Sequence, residues 1–275
     1  MRLGGFVIHG NSADTLEACL KSLCGVCDEV VAVDSGSNDG SASLAQRMGV
    51  RAMPYPWQGY GAARATAVAA LEGCDWLFYL DSDEWMEPKA CELLLQWKKA
   101  APKAQGYRVV RNDWAELESS RFLYRRQHRV RLVRAELARW TPQMIVHESL
   151  SLKNLPRLPL CVEHRFATRI EGRAQKEEFY ALLWGLRAYA EGRKSKWPLL
   201  QRPALFVRDA LLAGSLFRGG LKAARLAWQV AAYHQRKYER LAEFKRGLHA
   251  ELVETFEVGQ FPRVFELARE LVATA

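Results

Sequence analysis

From the N-terminus to about residue 100 the chain alternates short β-branched or wholly apolar runs with stretches of helical periodicity. Few folds satisfy that pattern other than parallel strands joined by crossover helices. Phe6–His9 reads as a first strand. The stretch 12–23 then carries Leu16, Cys19, Leu20 and Leu23 at amphipathic helical spacing. Glu29–Val33 is a second strand, 35–40 a turn, 41–48 a helix, and 50–53 a third strand closed by Pro54 and Pro56. An Ala-rich helix over 62–71 precedes Trp76–Leu80, a strand apolar enough to be buried on both faces. Pro88 suits the first turn of a further helix to about Lys99. Later strands are expected over 107–111 and 130–133, with 141–170 irregular. Beyond Glu171 the period is helical, interrupted at Pro198, Pro203, Gly219-Gly220 and Pro262. The expectation is an α/β domain over 1–165 and a helical region over 166–275.

Charge supports that division. The chain has 275 residues and a formal net charge of +9, 49% hydrophobic and 26% charged, which excludes disordered and collagenous classes. Residues 1–164 hold 20 basic and 19 acidic side chains, whereas 165–250 hold 18 and 7. The excess is regional, and the anionic partners it suits are a phospholipid surface, a phosphorylated glycan or nucleic acid. No nucleic-acid-binding motif accompanies it.

The cysteines at 19, 24, 27, 74, 91 and 161 lie mostly in apolar runs and read as reduced, buried thiols of a cytosolic chain. Cys24 and Cys27 form a CxxC without a second ligand pair, so a structural zinc is not expected. No signal-peptide pattern opens the chain, and no run approaches the ~20 apolar residues that span a bilayer. Membrane contact is therefore expected to be peripheral.

The chemistry gathers at strand ends. Asp81-Ser82-Asp83 follows the fourth strand, and side chains two apart in extended chain share a side, so both carboxylates can meet one Mg²⁺ or Mn²⁺. Asp34 ends the second strand ahead of Ser35-Gly36-Ser37-Asn38-Asp39-Gly40; it can accept from a base or ribose, and Gly36 admits close approach to the backbone. Asp39 suits a helix cap. Between these lies Trp57-Gln58-Gly59-Tyr60-Gly61, with Arg64 inside the next helix, a setting that favours a diphosphate. GxGxxG and Walker-type loops are absent, which removes the usual support for dinucleotide redox chemistry and P-loop hydrolysis.

Five segments in order, 28–40, 57–61, 76–84, Arg131-Leu-Val-Arg134 and Val146-His-Glu-Ser-Leu150, make the chain resemble the family 2 glycosyltransferases of GT-A fold. Within that family it looks like the branch of lipopolysaccharide inner-core glucosyltransferases acting on a heptose. The likeness covers about 5–165. Two positions differ: Asn11-Ser12-Ala13-Asp14 stands where members have Asn-Glu-Glu, and Arg64-Ala65 where they have Lys/Arg-Asn.

The resemblance implies a mixed, mostly parallel Rossmann-type sheet and an inverting, metal-dependent transfer of a hexose from a nucleotide-sugar, a UDP-sugar being expected. Asn11, Asp34, Gly36, Arg64, Asp81 and Ser82 would hold the donor, and Asp81 and Asp83 would form the metal and diphosphate motif. His147 and His164 are the further candidate metal ligands. Glu148, after a β-branched run, is the candidate base for the acceptor hydroxyl. The acceptor would be a lipid-linked saccharide of lipopolysaccharide core or a similar glycan, reached at the cytoplasmic face of the inner membrane. There the basic helices, Lys222–Arg240 among them, would touch anionic lipid. Two alternatives stay open: a sugar-1-phosphate nucleotidylyltransferase, although the Gly-rich, Arg-containing loop expected after its first strand is missing at 9–14, and a non-catalytic scaffold binding glycan or membrane.

Overall fold

The computed structural model describes residues 1–100, 102–146, 148–170, 174–194 and 197–274. The α/β half is built as the alternation predicts: β1 (Leu3–His9), α1 (Leu16–Cys24), β2 (Glu29–Asp34), α2 (Ser41–Arg47), β3 (Arg51–Pro54), α3 (Tyr60–Ala69) and β4 (Trp76–Asp81). A two-residue strand β5 (Glu84–Trp85) and α4 (Pro88–Lys99) follow. Then come β6 (Gly106–Leu117), β7 (Ser120–Arg134) and β8 (Arg157–Ala167). Sheet order is β3-β2-β1-β4-β7-β6-β8-β5. The first four are parallel; β4 meets β7, and β5 meets β8, antiparallel. The result is a mixed sheet, a parallel half extended by antiparallel strands.

Two expectations change. Residues 107–111 and 130–133 are parts of strands of 12 and 15 residues, in which Arg111, Arg125 and Arg131 are buried among the apolar side chains, a placement that hydropathy alone discounts. The segment 141–170 is not wholly irregular: β8 occupies its second half, its prolines lying at or near the strand's start, where a missing N–H is tolerated.

Register sets the strand ends level. His9 of β1 pairs with Asp34 of β2, and Ile8 of β1 with Asp81 of β4, so both aspartates emerge at the carboxyl edge where open α/β sheets bind ligands. The sheet interior needs the small residues of β1: a Cβ at Gly5 would sit 2.7 Å from Cys27 Sγ. Under it pack Leu16, Leu20, Leu23, Trp76, Phe78, Leu94 and Leu132, all essentially inaccessible. The thiols are less uniformly buried than expected: Cys19 and Cys74 are buried, but Cys24 and Cys161 are exposed. Cys24 ends α1, and Cys161 takes an outward position in the alternation of β8. All six are free.

The chain divides into two compact units, the first made of 1–113, 126–141 and 149–166, the second of 114–125, 142–148 and 167–275. In the second, α5 (Ala174–Ala190) packs closely on α7 (Ser215–Lys245); a Cβ at Gly185 would lie 2.9 Å from Arg240 Cβ. Buried Glu178 ion-pairs with Arg236 and Arg240 across that contact. α6 (Pro198–Phe206) runs on into a π-helical turn, 207–212, and α8 (Ala250–Glu257) and α9 (Phe261–Ala273) complete the unit.

Candidate active site

Asp81 leaves β4 into a nest of guanidinium groups. Arg64 of α3 reaches one carboxylate oxygen at 2.6 Å and Arg131 of β7 the other at 2.6 Å. Burial by itself would raise the Asp81 carboxyl, but Arg131 and then Arg64 hold it well below the usual carboxylate range. Both arginines lie over the Tyr79 ring, at 5.2 and 5.1 Å, and Arg64 also lies 5.8 Å from the Trp140 ring. Tyr79 in turn stacks on Phe6, and its hydroxyl donates to the Val130 carbonyl at 2.6 Å. This aromatic floor fixes the two planar cations so that both forks face the strand end.

Behind Asp81, the fully buried Glu84 carboxylate accepts from Arg131 at 2.5 Å, from Arg111 at 3.2 Å and from the Asp81 backbone N–H at 3.1 Å. Arg111 also ion-pairs with Asp113 at 2.8 Å. A buried carboxylate is tolerated only when so surrounded.

Asp83 behaves differently. Its side chain is 43% exposed, and its nearest partner is His164 of β8, whose Nε2 lies 3.5 Å away. His164 is there because β5 and β8 pair with Glu84 opposite His164, and the Arg165 N–H donates to the Asp83 carbonyl at 3.0 Å. The other imidazole nitrogen, Nδ1, is 2.7 Å from Asp113 Oδ1. Burial opposes a charged imidazole, yet the hydrogen bonds to Asp113 and Asp83 prevail and raise its pKa to about 9.

Of these residues, Asp83 offers a partly exposed carboxylate to a hard divalent ion. The His164 imidazole, oriented by Asp113 on its far nitrogen and with Asp83 beside its near one, joins such a site only by giving up the proton that its raised pKa holds, since a ligating imidazole is neutral. Among the described residues no three His, Cys, Asp or Glu side chains converge on one point. Mg²⁺ and Mn²⁺ commonly accept one or two protein ligands and complete the shell with water and phosphate oxygens. Asp81, expected as a ligand, has each oxygen paired with an arginine, Arg64 on one and Arg131 on the other. His147 lies outside the described residues.

The second acidic site is folded onto itself. Asp34 accepts from the Ser37 backbone N–H at 3.1 Å and its hydroxyl at 2.5 Å, which closes the loop around Gly36, whose φ of +88° only glycine adopts without strain. Asn11, at φ +49°, joins the same loop: its N–H donates to Ser37 Oγ and its Oδ1 accepts from the Asn38 N–H, both at 2.9 Å. Asp39 accepts from the N–H of Ser41, the first residue of α2, at 3.0 Å, and from Ala13 at 2.9 Å. Ser82 Oγ meets Ser12 Oγ at 3.0 Å and so ties the Asn11 loop to the Asp81 loop. Glu148 belongs to the second unit, half-buried in irregular chain after buried Ile145 and Val146, where Arg187 donates to the Val146 carbonyl at 2.6 Å.

Sequence reasoning assigned no role to Arg131, Glu84, Arg111 or Asp113. A signal existed for Arg131: a lone charge inside the apolar run Val130–Val133 has to be paired if the run is a buried strand. For the others, placement depends on which strands become neighbours.

An α/β sheet with paired acidic and basic side chains at its carboxyl edge has the layout in which open α/β folds bind ligands. The model of the family described as "Glycosyl transferase family 2" matches residues 6–149, just over half of the chain and nearly all of the strands above. The chain belongs to that family and is a glycosyltransferase. It is 28% identical over 244 residues to the lipopolysaccharide core biosynthesis glycosyltransferase LpsC of Rhizobium meliloti, covering 84% of this chain and 88% of that one. An uncharacterized glycosyltransferase of Rickettsia bellii is 31% identical over 83 residues, 30% of this chain and 28% of the other. Among solved structures, S. aureus TarS 1–349 is similar with a TM-score of 0.40 and 14% identity, covering 90% of this chain and 92% of that one. Mannosyl-3-phosphoglycerate synthase from Rubrobacter xylanophilus gives 0.36 and 19%; the match covers 41% of each chain.

Proposed function

We propose that the chain transfers one hexose from a UDP-sugar, with inversion at the anomeric carbon, to a saccharide of lipopolysaccharide core or a similar lipid-linked envelope glycan. The observation that carries this reading is the Asp83–His164 pair beside the Asp81–Arg64–Arg131 cluster at the end of β4. Likeness to a relative named for lipopolysaccharide core biosynthesis supports the acceptor class.

Displacement at an anomeric carbon needs charge stabilised on the departing diphosphate and a proton removed from the incoming hydroxyl. Asp83 and His164 are the residues proposed to hold Mg²⁺ or Mn²⁺, which when bound supplies positive charge to the diphosphate. Asp81 keeps Arg64 and Arg131 aimed at the strand edge. Asp34 and Gly36, with Asn11 and Ser82 bracing their loops, are proposed to receive the nucleoside. Glu148 is proposed as the base that takes the acceptor proton. Work on a lipid-linked acceptor calls for peripheral contact with an anionic membrane, and no helix among the described residues is long and apolar enough to cross one.

The test is calorimetric titration of UDP with and without Mn²⁺, joined to an assay of UDP release from UDP-glucose in the presence of heptose-containing core oligosaccharide. Metal-dependent UDP binding and acceptor-dependent release are expected. Failure to bind UDP in either condition, or selective binding of NAD, would overturn the reading.

A further inference from the structure

The second unit turns an apolar stripe outward. Fourteen large hydrophobic side chains are exposed among the described residues, and nine of them fall between Trp197 and Trp228. Along α6 and the π-helical turn that continues it, Leu200, Ala204, Val207 and Leu211 are exposed at spacings of four, three and four, which is one face of a helix. A surface helix ordinarily shows water its polar face. Here the charged Asp209 is buried at 2% exposure, while Leu212 is 80% exposed. After the turn at Gly214, Phe217 and Leu221 extend the apolar surface at 84% and 67% exposure. The sequence period is the same whichever way such a face points, so only the packed structure shows it to be outward.

The chain that carries the stripe is strongly basic. From Gly192 to Tyr238 the chain has ten Lys and Arg and a single acid, Asp209. That acid is consumed internally: Arg125 and Arg208 pair with it at 2.9 and 2.6 Å, and Tyr124 donates to it at 3.0 Å. Glu118 and Glu178 from other segments meet Lys222 and Arg236, yet basic side chains outnumber acids around this exposed apolar face, which matches the headgroup region of an anionic bilayer, where leucine and aromatic side chains enter the acyl boundary and Lys or Arg meet lipid phosphates. A second copy of the same face would set like charges together, which disfavours a self-complementary dimer.

We propose that α6, its π-helical continuation and the start of α7 form a membrane-docking hairpin that inserts Leu200, Leu211, Leu212, Phe217 and Leu221 into an anionic lipid surface. The proposal deepens the reading of a lipid-linked acceptor above by naming the element that brings the enzyme to the membrane. It differs from the expectation for Lys222–Arg240, whose Leu226 and Val230 are buried in the unit.

Flotation of the full chain with vesicles tests it. The unmodified protein should float with phosphatidylethanolamine/phosphatidylglycerol vesicles and stay behind with pure phosphatidylcholine. The double variant Leu212→Glu/Phe217→Glu should float at least about tenfold less with unchanged melting, since both side chains already face water. Equal flotation of the variant, or none by the unmodified protein, overturns the proposal. So does a dimer in light scattering that the variant dissolves without any vesicle binding. UDP titration of the same two proteins separates the readings: lost flotation with intact UDP binding removes the docking surface alone, and flotation without UDP binding removes the donor reading alone.

Discussion

His164 Nε2 stands 3.5 Å from the Asp83 carboxylate, although the two residues are far apart in the chain. β8 delivers the imidazole and the β4–β5 turn delivers the carboxylate, and Asp113 fixes the ring from behind. Replacing Asp83 by Ala is expected to abolish Mn²⁺ enhancement of UDP binding and to lower turnover by about 100-fold or more. Asp113→Asn should weaken Mn²⁺ by roughly 10–100-fold, as loss of an orienting partner does. Calorimetry with Mn²⁺ reads both; unchanged metal affinity in Asp83→Ala would remove this pair from the metal site.

Arg131 bridges the Asp81 and Glu84 carboxylates from within the sheet. Arg131→Met leaves a fully buried Glu84 short of a partner and should destabilise the first unit by about 3–5 kcal/mol. Arg131→Lys should recover only part, because one ammonium cannot reproduce a planar fork. Urea denaturation midpoints decide this, and a Met variant as stable as the parent would contradict the bridging role.

Glu148→Gln keeps shape and removes basicity. If this carboxylate takes the acceptor proton, turnover should fall by about 10²–10⁴ while the UDP dissociation constant holds within a factor of about two. Parallel loss of UDP binding would point to a structural role for the segment.

Asp209 sets a pH dependence in the second unit. Burial alone would raise its carboxyl, but Arg208 and Arg125 overcome that and lower it below the ordinary aspartate value. Its stabilisation is therefore complete above the unfolded pKa of about 3.9 and is lost as pH falls through the lower folded value. Asp209→Asn should destabilise at pH 7, and the gap to the parent should narrow below about pH 4. Thermal melts from pH 7 to 3 would show it; a gap constant with pH would mean that shape, not charge, matters at this position.

Much of this protein is local and so is readable along the chain. The β1 to β4 alternation, the place of Asp34 and Asp81 at strand ends, and Arg64 inside α3 follow from hydropathy periods that neighbouring residues set together. His164 was singled out as a metal candidate by residue type, yet its partnership with Asp83 depends on β8 pairing with β5, a long-range register that no local pattern encodes. Glu84, Arg111 and Asp113 look like ordinary surface charges until β6, β7 and β8 converge and remove their water. The same holds for α6, because periodicity marks an apolar face without saying whether protein or solvent lies against it. Residue spacing thus determined the elements and the acidic strand ends. Which charges share a desolvated site, and which apolar face stays open, was decided by tertiary packing, because desolvation is a property of neighbours in space.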